Sequence, residues 1–402
     1  MTHPDIEAAA AWIRAHDEST LESQIELSEI PAPPFRETKR GERMLELFRV
    51  AGLSDPFVDP VGNVIADRPG TSHEPPLIVS AHLDTVFPPE TDVSVTRVGD
   101  TLRGPGISDD ARGLAALLAV ARAMVASNVQ TRAPVRFVAT VGEEGAGDLR
   151  GVKHLFGADG DGRTAAGFIS LDGAGLDRVV TRALGSRRYR IEVSGPGGHS
   201  WVDWGTPNPI HATAQLAAAL TELPLSREPK TTLTIARMGG GKSINAIPQN
   251  AWIEVDSRSA GNSQLIDLEV RMREAVDRCA DKNRDLAFAV HVIGERPGGE
   301  TPVGAPLLRA ALDATRRLGR EPILALSSTD ANIPMSMGIP ALTLGCGGEA
   351  GMAHTTDEWY RNVDGPDGIV RALYTIAGAA RAPGAAPAHP PQTHVARHPG
   401  GG

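Results

Sequence analysis

Cysteine is scarce: only Cys279 and Cys346 occur in 402 residues. A framework of several disulfides is therefore excluded, and two thiols fit a reducing compartment. No apolar run reaches the roughly 18 residues of a membrane-spanning helix, and the start of the chain, with Asp5 and Glu7, has no basic-then-apolar leader pattern. The expectation is a soluble, cytoplasmic protein with no membrane partner. Positive charge is also in deficit. Lys and Arg number 40 against 49 Asp and Glu, a net charge of -9, and no basic run occurs. Nucleic acid is excluded as the main partner, because phosphate binding needs a basic face. Internal repeats are absent as well, which removes the solenoid folds.

What is present is a sizeable core: 41% of the residues are hydrophobic, and the length suits two domains at roughly 100–200 residues each. Apolar spacing predicts helices over Ile6–Ile13, Leu21–Leu27 and Met44–Val50, interrupted by the proline-rich stretch Ile30–Pro34. A strand, helix, strand alternation follows, with buried strands at Leu77–Ala81, Val135–Val141 and Gly167–Leu171 and a helix at Leu114–Val125. That pattern predicts a sheet with helices on its faces. From Gly185 the order becomes β-α-β-β-α-β, with strands near 188–194, 232–236, 252–256 and 287–292 and helices near 210–220 and 265–279. This is the ferredoxin-like split arrangement. The first pattern then resumes, with helices at 307–318 and 369–379 and strands at 323–326 and 341–344.

The predicted fold is α/β: a catalytic domain with a mixed central sheet flanked by helices, plus an inserted ferredoxin-like α+β domain. The expected boundaries are 1–184 and 295–380 for the two parts of the catalytic domain, 185–294 for the insert, and 381–402 for a disordered tail rich in Pro, Gly and Ala. His389, His394 and His398 fall in that tail.

The acidic and histidine residues stand where the predicted strands end. Leu77–Ala81 runs into His82-Leu83-Asp84, Val135–Val141 into Gly142-Glu143-Glu144, and Gly167–Leu171 into Asp172-Gly173, while Asp109-Asp110 precedes a helix. Singly, each cluster has an ordinary reading: a helix cap for Asp109-Asp110, a turn for Asp172-Gly173, a solvated loop for Glu143-Glu144. Together they converge, because ligand sites in open α/β sheets form outside the carboxyl ends of strands. So many acids at buried strand ends would repel one another unless cations intervene. Oxygen and imidazole donors without thiolates suit zinc, manganese or cobalt. Two metals roughly 3.5–4 Å apart call for a bridging carboxylate.

Five ordered motifs carry a resemblance: His82-Leu83-Asp84-Thr85-Val86, Gly104–Asp110, Gly142-Glu143-Glu144-Gly145, Leu171-Asp172-Gly173 and the late His354. Over about residues 20–380 the chain resembles the co-catalytic zinc family of peptidase T, glutamate carboxypeptidase, carnosinase, acetylornithine deacetylase and aminoacylase. The resemblance implies two divalent metal ions, zinc by preference. It implies His82, Asp109 and Asp172 as ligands of one metal and Asp109, Glu144 and His354 of the other, with Asp109 bridging. It implies Glu143 as general base, Asp84 as the residue that orients His82 through its other ring nitrogen, and Asp110 as nonligating.

In the insert, Gly195–Ser200 resembles the family's lid segment, whose histidine, here His199, assists at the active site, often from the partner subunit. Ser243–Pro248 resembles the substrate-contacting segment that contains Asn245, and Arg258 resembles the arginine that grips a substrate carboxylate. The insert thereby becomes a lid and dimerisation domain. Two departures stand out: Arg112 replaces the usual lysine, and Trp201 and Trp204 occupy lid positions where smaller residues are usual.

The implied activity is hydrolysis of a peptide amide bond, since aspartate at position 172 tends to accompany aminopeptidases and dipeptidases. The expected substrate is a short peptide cut by an exopeptidase. The alternatives are an N-acyl-amino-acid deacylase or carboxypeptidase of the same family and, more remotely, a non-catalytic binding protein on the same fold.

Overall fold

A computed structural model describes residues 3–381. The residues expected to form a disordered tail, 382–402 with their histidines, lie outside the described residues, whereas Arg381 still belongs to the last helix, Gly365–Arg381. Among the described residues no helix is long and apolar enough to cross a membrane.

The larger sheet has nine strands and mixed direction. Its order runs Ser54–Val58, Val64–Arg68, Val135–Thr140, Leu77–His82, Gly167–Leu171, Ala341–Leu344, Arg178–Ala183, Gly299–Glu300, and Ile323–Ser327 pairs alongside Arg178–Ala183. The four central strands are parallel to one another. Three of them are buried along their whole length, which is why they read in the sequence as continuous apolar runs rather than alternating ones. Helix Ala111–Ala126 covers one face, and all but three of its sixteen residues are buried. The helices Pro4–Ala15 and Gly365–Arg381 pack beside it, and Pro306–Arg317 packs on Gly365–Arg381, around a core that includes Leu117, Phe137, Ile169 and Leu373.

A separate four-stranded antiparallel sheet is formed by Gly185–Ser194, Thr231–Gly240, Asn250–Ser259 and Ala287–Arg296. In chain order its strands lie 2-3-1-4, with helices Pro209–Thr221 and Asn262–Lys282 between strands one and two and between three and four. Both helices pack on that sheet and share with it a core of Tyr189, Ile191, Leu216, Ile253 and Met272. The chain leaves the large sheet at Ala183 and rejoins it at Gly299, and these two residues pair with each other. The four-stranded unit therefore hangs on two adjacent strands.

Candidate active site

Register decides where the chemistry gathers. Leu77–His82 pairs with Val135–Thr140 from Leu77↔Val135 to His82↔Thr140, and with Gly167–Leu171 from Leu77↔Gly167 onward. The three carboxyl ends are level, so His82, the loop after Thr140 and Asp172 emerge side by side. The turn Gly104–Asp110 reaches the same edge and is organised by Glu358. That buried carboxylate accepts from the backbone N–H of Gly106 (3.0 Å), Ser108 (2.8 Å) and Asp109 (2.9 Å), and from the Ser108 hydroxyl (2.6 Å). His354 arrives from a short turn with φ +66°, a left-handed conformation that is costly for a side-chain-bearing residue.

The result is one cluster. His82, Asp109 and Asp172 place a donor atom each within 4.8 Å of one another, and so do Asp109, Glu144 and His354; Asp109 belongs to both groups. His82 Nε2 lies 3.0 Å from one oxygen of Asp109, and His354 Nε2 lies 3.1 Å from the other and 2.9 Å from Glu144 Oε1. His82, Glu143 and Glu144 satisfy the same distance criterion. The donors line a cavity of about 450 Å³ that also holds Arg188, Arg258, Arg296, Ser328 and Thr329.

Carboxylate charge is in excess there. Burial, reinforced by the charge of Asp109, pushes Asp172 up to about 7. Burial also raises Glu143 well above the usual carboxylate range, against the pull of Arg296. Burial alone would raise Asp109, but hydrogen bonds from His354 and His82 hold it below its ordinary value. Hydrogen bonds to Asp109 and Glu144 in turn lift His354 to about 10. Crowded oxygen and imidazole donors of this kind, with a shared carboxylate and no thiolate, fit a pair of hard or borderline divalent cations.

Asp110 accepts from the backbone N–H of His82 (3.0 Å), Gly113 (2.9 Å) and Gly173 (3.1 Å). It caps helix Ala111–Ala126 and ties that helix to two strand ends. The close packing needs glycine at 113, where a Cβ would stand 2.2 Å from the Asp110 carboxylate and 2.4 Å from the Leu171 carbonyl oxygen. Asp84 meets the other ring nitrogen of His82, as expected, but through its main chain. The ring nitrogen Nδ1 of His82 meets the backbone oxygen of Asp84 at 3.0 Å, while the carboxylate stands 3.7 Å away. That carboxylate is taken by the backbone N–H of Glu143 (2.9 Å) and Glu144 (2.7 Å), so Asp84 aims the glutamate loop with its side chain and the histidine with its main chain.

Of the insert residues, Arg258 reaches the cavity. His199 and Asn245 are exposed and outside it. His199 Nδ1 is turned toward the N–H groups of Trp201 and Val202, and Asn245 Oδ1 accepts from Ser243. Trp201 and Trp204 are 83% and 84% exposed, so within one chain they neither line the pocket nor pack the unit. Cys346 is buried under helix Ala111–Ala126, where its carbonyl accepts from Arg112. Buried Arg112 also donates to Gly365, so the arginine in the lysine's place braces the core.

Two cavity residues and one buried carboxylate outside the lining escape sequence reasoning. Arg296 donates to Glu143 Oε1 at 3.1 Å and to the Glu143 carbonyl. Arg188 donates to the Gly145 carbonyl at 2.8 Å and to Asp256 at 3.2 Å. Asp330, buried and bonded to Thr140 (2.6 Å), is pushed by burial to about 6. Arg188 opens the strand expected near 188–194, Arg296 lies beyond the one expected near 287–292, and no local spacing marks either.

A family model described as peptidase family M20/M25/M40 matches residues 78–381. The uncharacterized protein YqjE of Bacillus subtilis is 27% identical over 308 residues, which cover 74% of this chain and 79% of that one. Among solved structures, aminopeptidase PepT of Bacillus cereus superposes with a TM-score of 0.72 at 24% identity, over 90% of this chain and 98% of its own. The di-peptidase Dug1p of Saccharomyces cerevisiae gives 0.74 at 14% identity, over 95% and 100%. At such identities the two structures show a common fold.

Proposed function

The chain belongs to peptidase family M20/M25/M40, a family of metal-dependent peptide hydrolases, and from that premise we propose that it is an exopeptidase of short peptides using two divalent metals, zinc by preference. The observation that carries this reading is the single carboxylate shared by two three-donor groups, Asp109, with Glu143 beside it in one cavity. We assign His82, Asp109 and Asp172 to one metal and Asp109, Glu144 and His354 to the other. Glu143 stands outside those two sets, and with Arg296 on its Oε1 it keeps Oε2 for the work of a base. Bound divalent cations supply Lewis-acid polarisation of the scissile carbonyl and make water more acidic.

The chain's own residues do the rest. Glu143 takes a proton from the attacking water on Oε2 as the new C–O bond forms, then returns it to the amine nitrogen as the C–N bond breaks. Arg258, 40% exposed at the cavity with its Nε on Asp256, offers its remaining N–H groups to a substrate carboxylate. The test is a panel of dipeptides, tripeptides and N-acyl amino acids given to apo protein reloaded with zinc, manganese or cobalt. Turnover of peptides is expected, with Glu143→Ala keeping its metal and fold while kcat falls by roughly 100-fold or more. Activity confined to N-acyl compounds would replace the exopeptidase with a deacylase. A fully active Glu143→Ala would overturn the base.

The four-stranded unit serves in this reading as lid and dimer surface, with His199 acting on the partner's site. Its support is that His199, exposed and outside the cavity of its own chain, can serve a site only by movement or from another copy. Mixed dimers of a His199→Ala chain with a Glu143→Ala chain should regain activity through the one site that is whole. Verified mixed dimers without recovery would remove the trans role.

A further inference from the structure

The loop that carries Glu143 and Glu144 is held from two sides. The large sheet grips it through Asp84, which accepts from both glutamate N–H groups. The four-stranded unit grips it through three more contacts. Arg188, on the unit's first strand, donates to the Gly145 carbonyl at 2.8 Å. Asp148 Oδ1 accepts from the N–H of Glu295 at 3.0 Å. Arg296, the last residue of the unit's fourth strand, donates to the Glu143 carbonyl and, at 3.1 Å, to Glu143 Oε1.

Both side chains of the Arg296–Glu143 pair are under a tenth exposed. Arg296 is fixed in turn by Ser328, whose hydroxyl accepts from the same Nη1 at 3.1 Å. Its Nε is buried without a partner. The end of the loop is under backbone strain, with Asp148 at φ +51° and Leu149 at φ +60°.

We propose that Arg296 is a positioning residue for the general base, which makes the aim of the Glu143 carboxylate depend on where the four-stranded unit sits. A guanidinium can hold main chain and side chain of one residue at once because its donors form a rigid fork. The fork fixes Oε1 and so presents Oε2 to the cavity. Arg296 lies where the chain passes from the unit back to the large sheet, so any rotation of the unit about its two connecting strands moves the fork. Closure over a substrate and orientation of the base then become one event. The inference rests on Glu143 being the base.

The experiment uses the metal-loaded full chain. Arg296→Met should lower kcat roughly 100-fold with KM within about threefold, leave metal content unchanged, and speed amide hydrogen exchange in residues 142–149. Arg296→Lys, whose single ammonium reaches one acceptor at a time, should recover about tenfold of the loss. In a double-mutant cycle, Arg296→Met added to Glu143→Gln should cost less than about threefold more, because both changes remove the same function. A rise in KM with kcat intact, confined to substrates with a free C-terminal carboxylate, would make Arg296 a substrate ligand and overturn the proposal. So would a normal kcat. If Arg296→Met fails to fold, Arg296→Lys decides: wild-type kcat and unchanged exchange refute the coupling. An active Glu143→Gln would remove the base assignment itself, whereas an inactive Glu143→Gln beside an active Arg296→Met removes this inference alone.

Discussion

Neighbouring residues of one type divide the labour at this site. Asp109 and Asp110 differ by one position, yet Asp109 faces two imidazoles and Asp110 faces three backbone N–H groups. Asp110 is fully buried, and two of those donors, on His82 and Gly113, are buried with it, so neither could turn to water if it were lost. Leaving a buried donor unpaired costs about 1–3 kcal/mol. Asp110→Ala should therefore destabilise the large-sheet part by about 2–6 kcal/mol, read from denaturant unfolding, while Asp110→Asn retains an acceptor and loses less. A stability for Asp110→Ala within about 1 kcal/mol of wild type would contradict the role. The pair was visible in the sequence as an acidic doublet before a helix. The family resemblance already implied Asp109 as the bridging member and Asp110 as nonligating; the three main-chain donors that hold Asp110 are shown only by the structure, and the same holds for Asp84, whose carboxylate serves the glutamate loop rather than the His82 ring.

At the level of elements, legibility followed burial. Leu77–His82, Gly167–Leu171 and Ala341–Leu344 are buried on both faces and are plain as apolar runs. Ser54–Val58, Val64–Arg68 and Arg178–Ala183 mix charged with apolar residues, carry no such run, and are found only in the structure. The four-stranded unit shows a second limit. Arg258 was marked by its neighbourhood Val255–Arg258, but Arg188 reaches the cavity because it stands directly opposite Asp256 in the register. Asp256 and Arg258, two apart on one strand, share a face. One carboxylate therefore aligns two guanidiniums, at 3.2 and 2.7 Å, an arrangement made by strand pairing and not by spacing along the chain.

For the whole molecule, the crowded cluster links stability, protons and metal. In the metal-free chain burial holds Asp172 near 7 and Asp330 near 6, and hydrogen bonds to Asp109 and Glu144 hold His354 near 10. Each folded value exceeds the ordinary one, about 4 for Asp and about 6.5 for His. The folded chain thus binds more protons than the unfolded chain, and stability falls as pH rises. The carboxylate share is complete below about pH 4 and gone above about 6–7, while the histidine share is complete below about 6.5 and fades through about 10. Divalent cations held by the proposed ligands would compete with the protons on Asp172 and His354. The Tm of chelator-stripped protein should fall between pH 5 and 8, and the gain in Tm on adding zinc should grow over that range. A zinc effect independent of pH, or none, would count against the cluster as a metal site.

The sequence by itself determined the mixed sheet, the β-α-β-β-α-β order of the four-stranded unit and the set of donors at strand ends. Each of these is written in local periodicity or in short fixed spacings, which act before the chain closes any long loop. Only the tertiary structure decided that Asp84 holds the glutamate loop, that His199 and Asn245 stand clear of the cavity in their own chain, and that Arg296 holds Glu143. That last contact joins residues 153 positions apart. Such a contact depends on how the two sheets meet, which is set by the packing of whole faces and leaves no mark on neighbours in sequence.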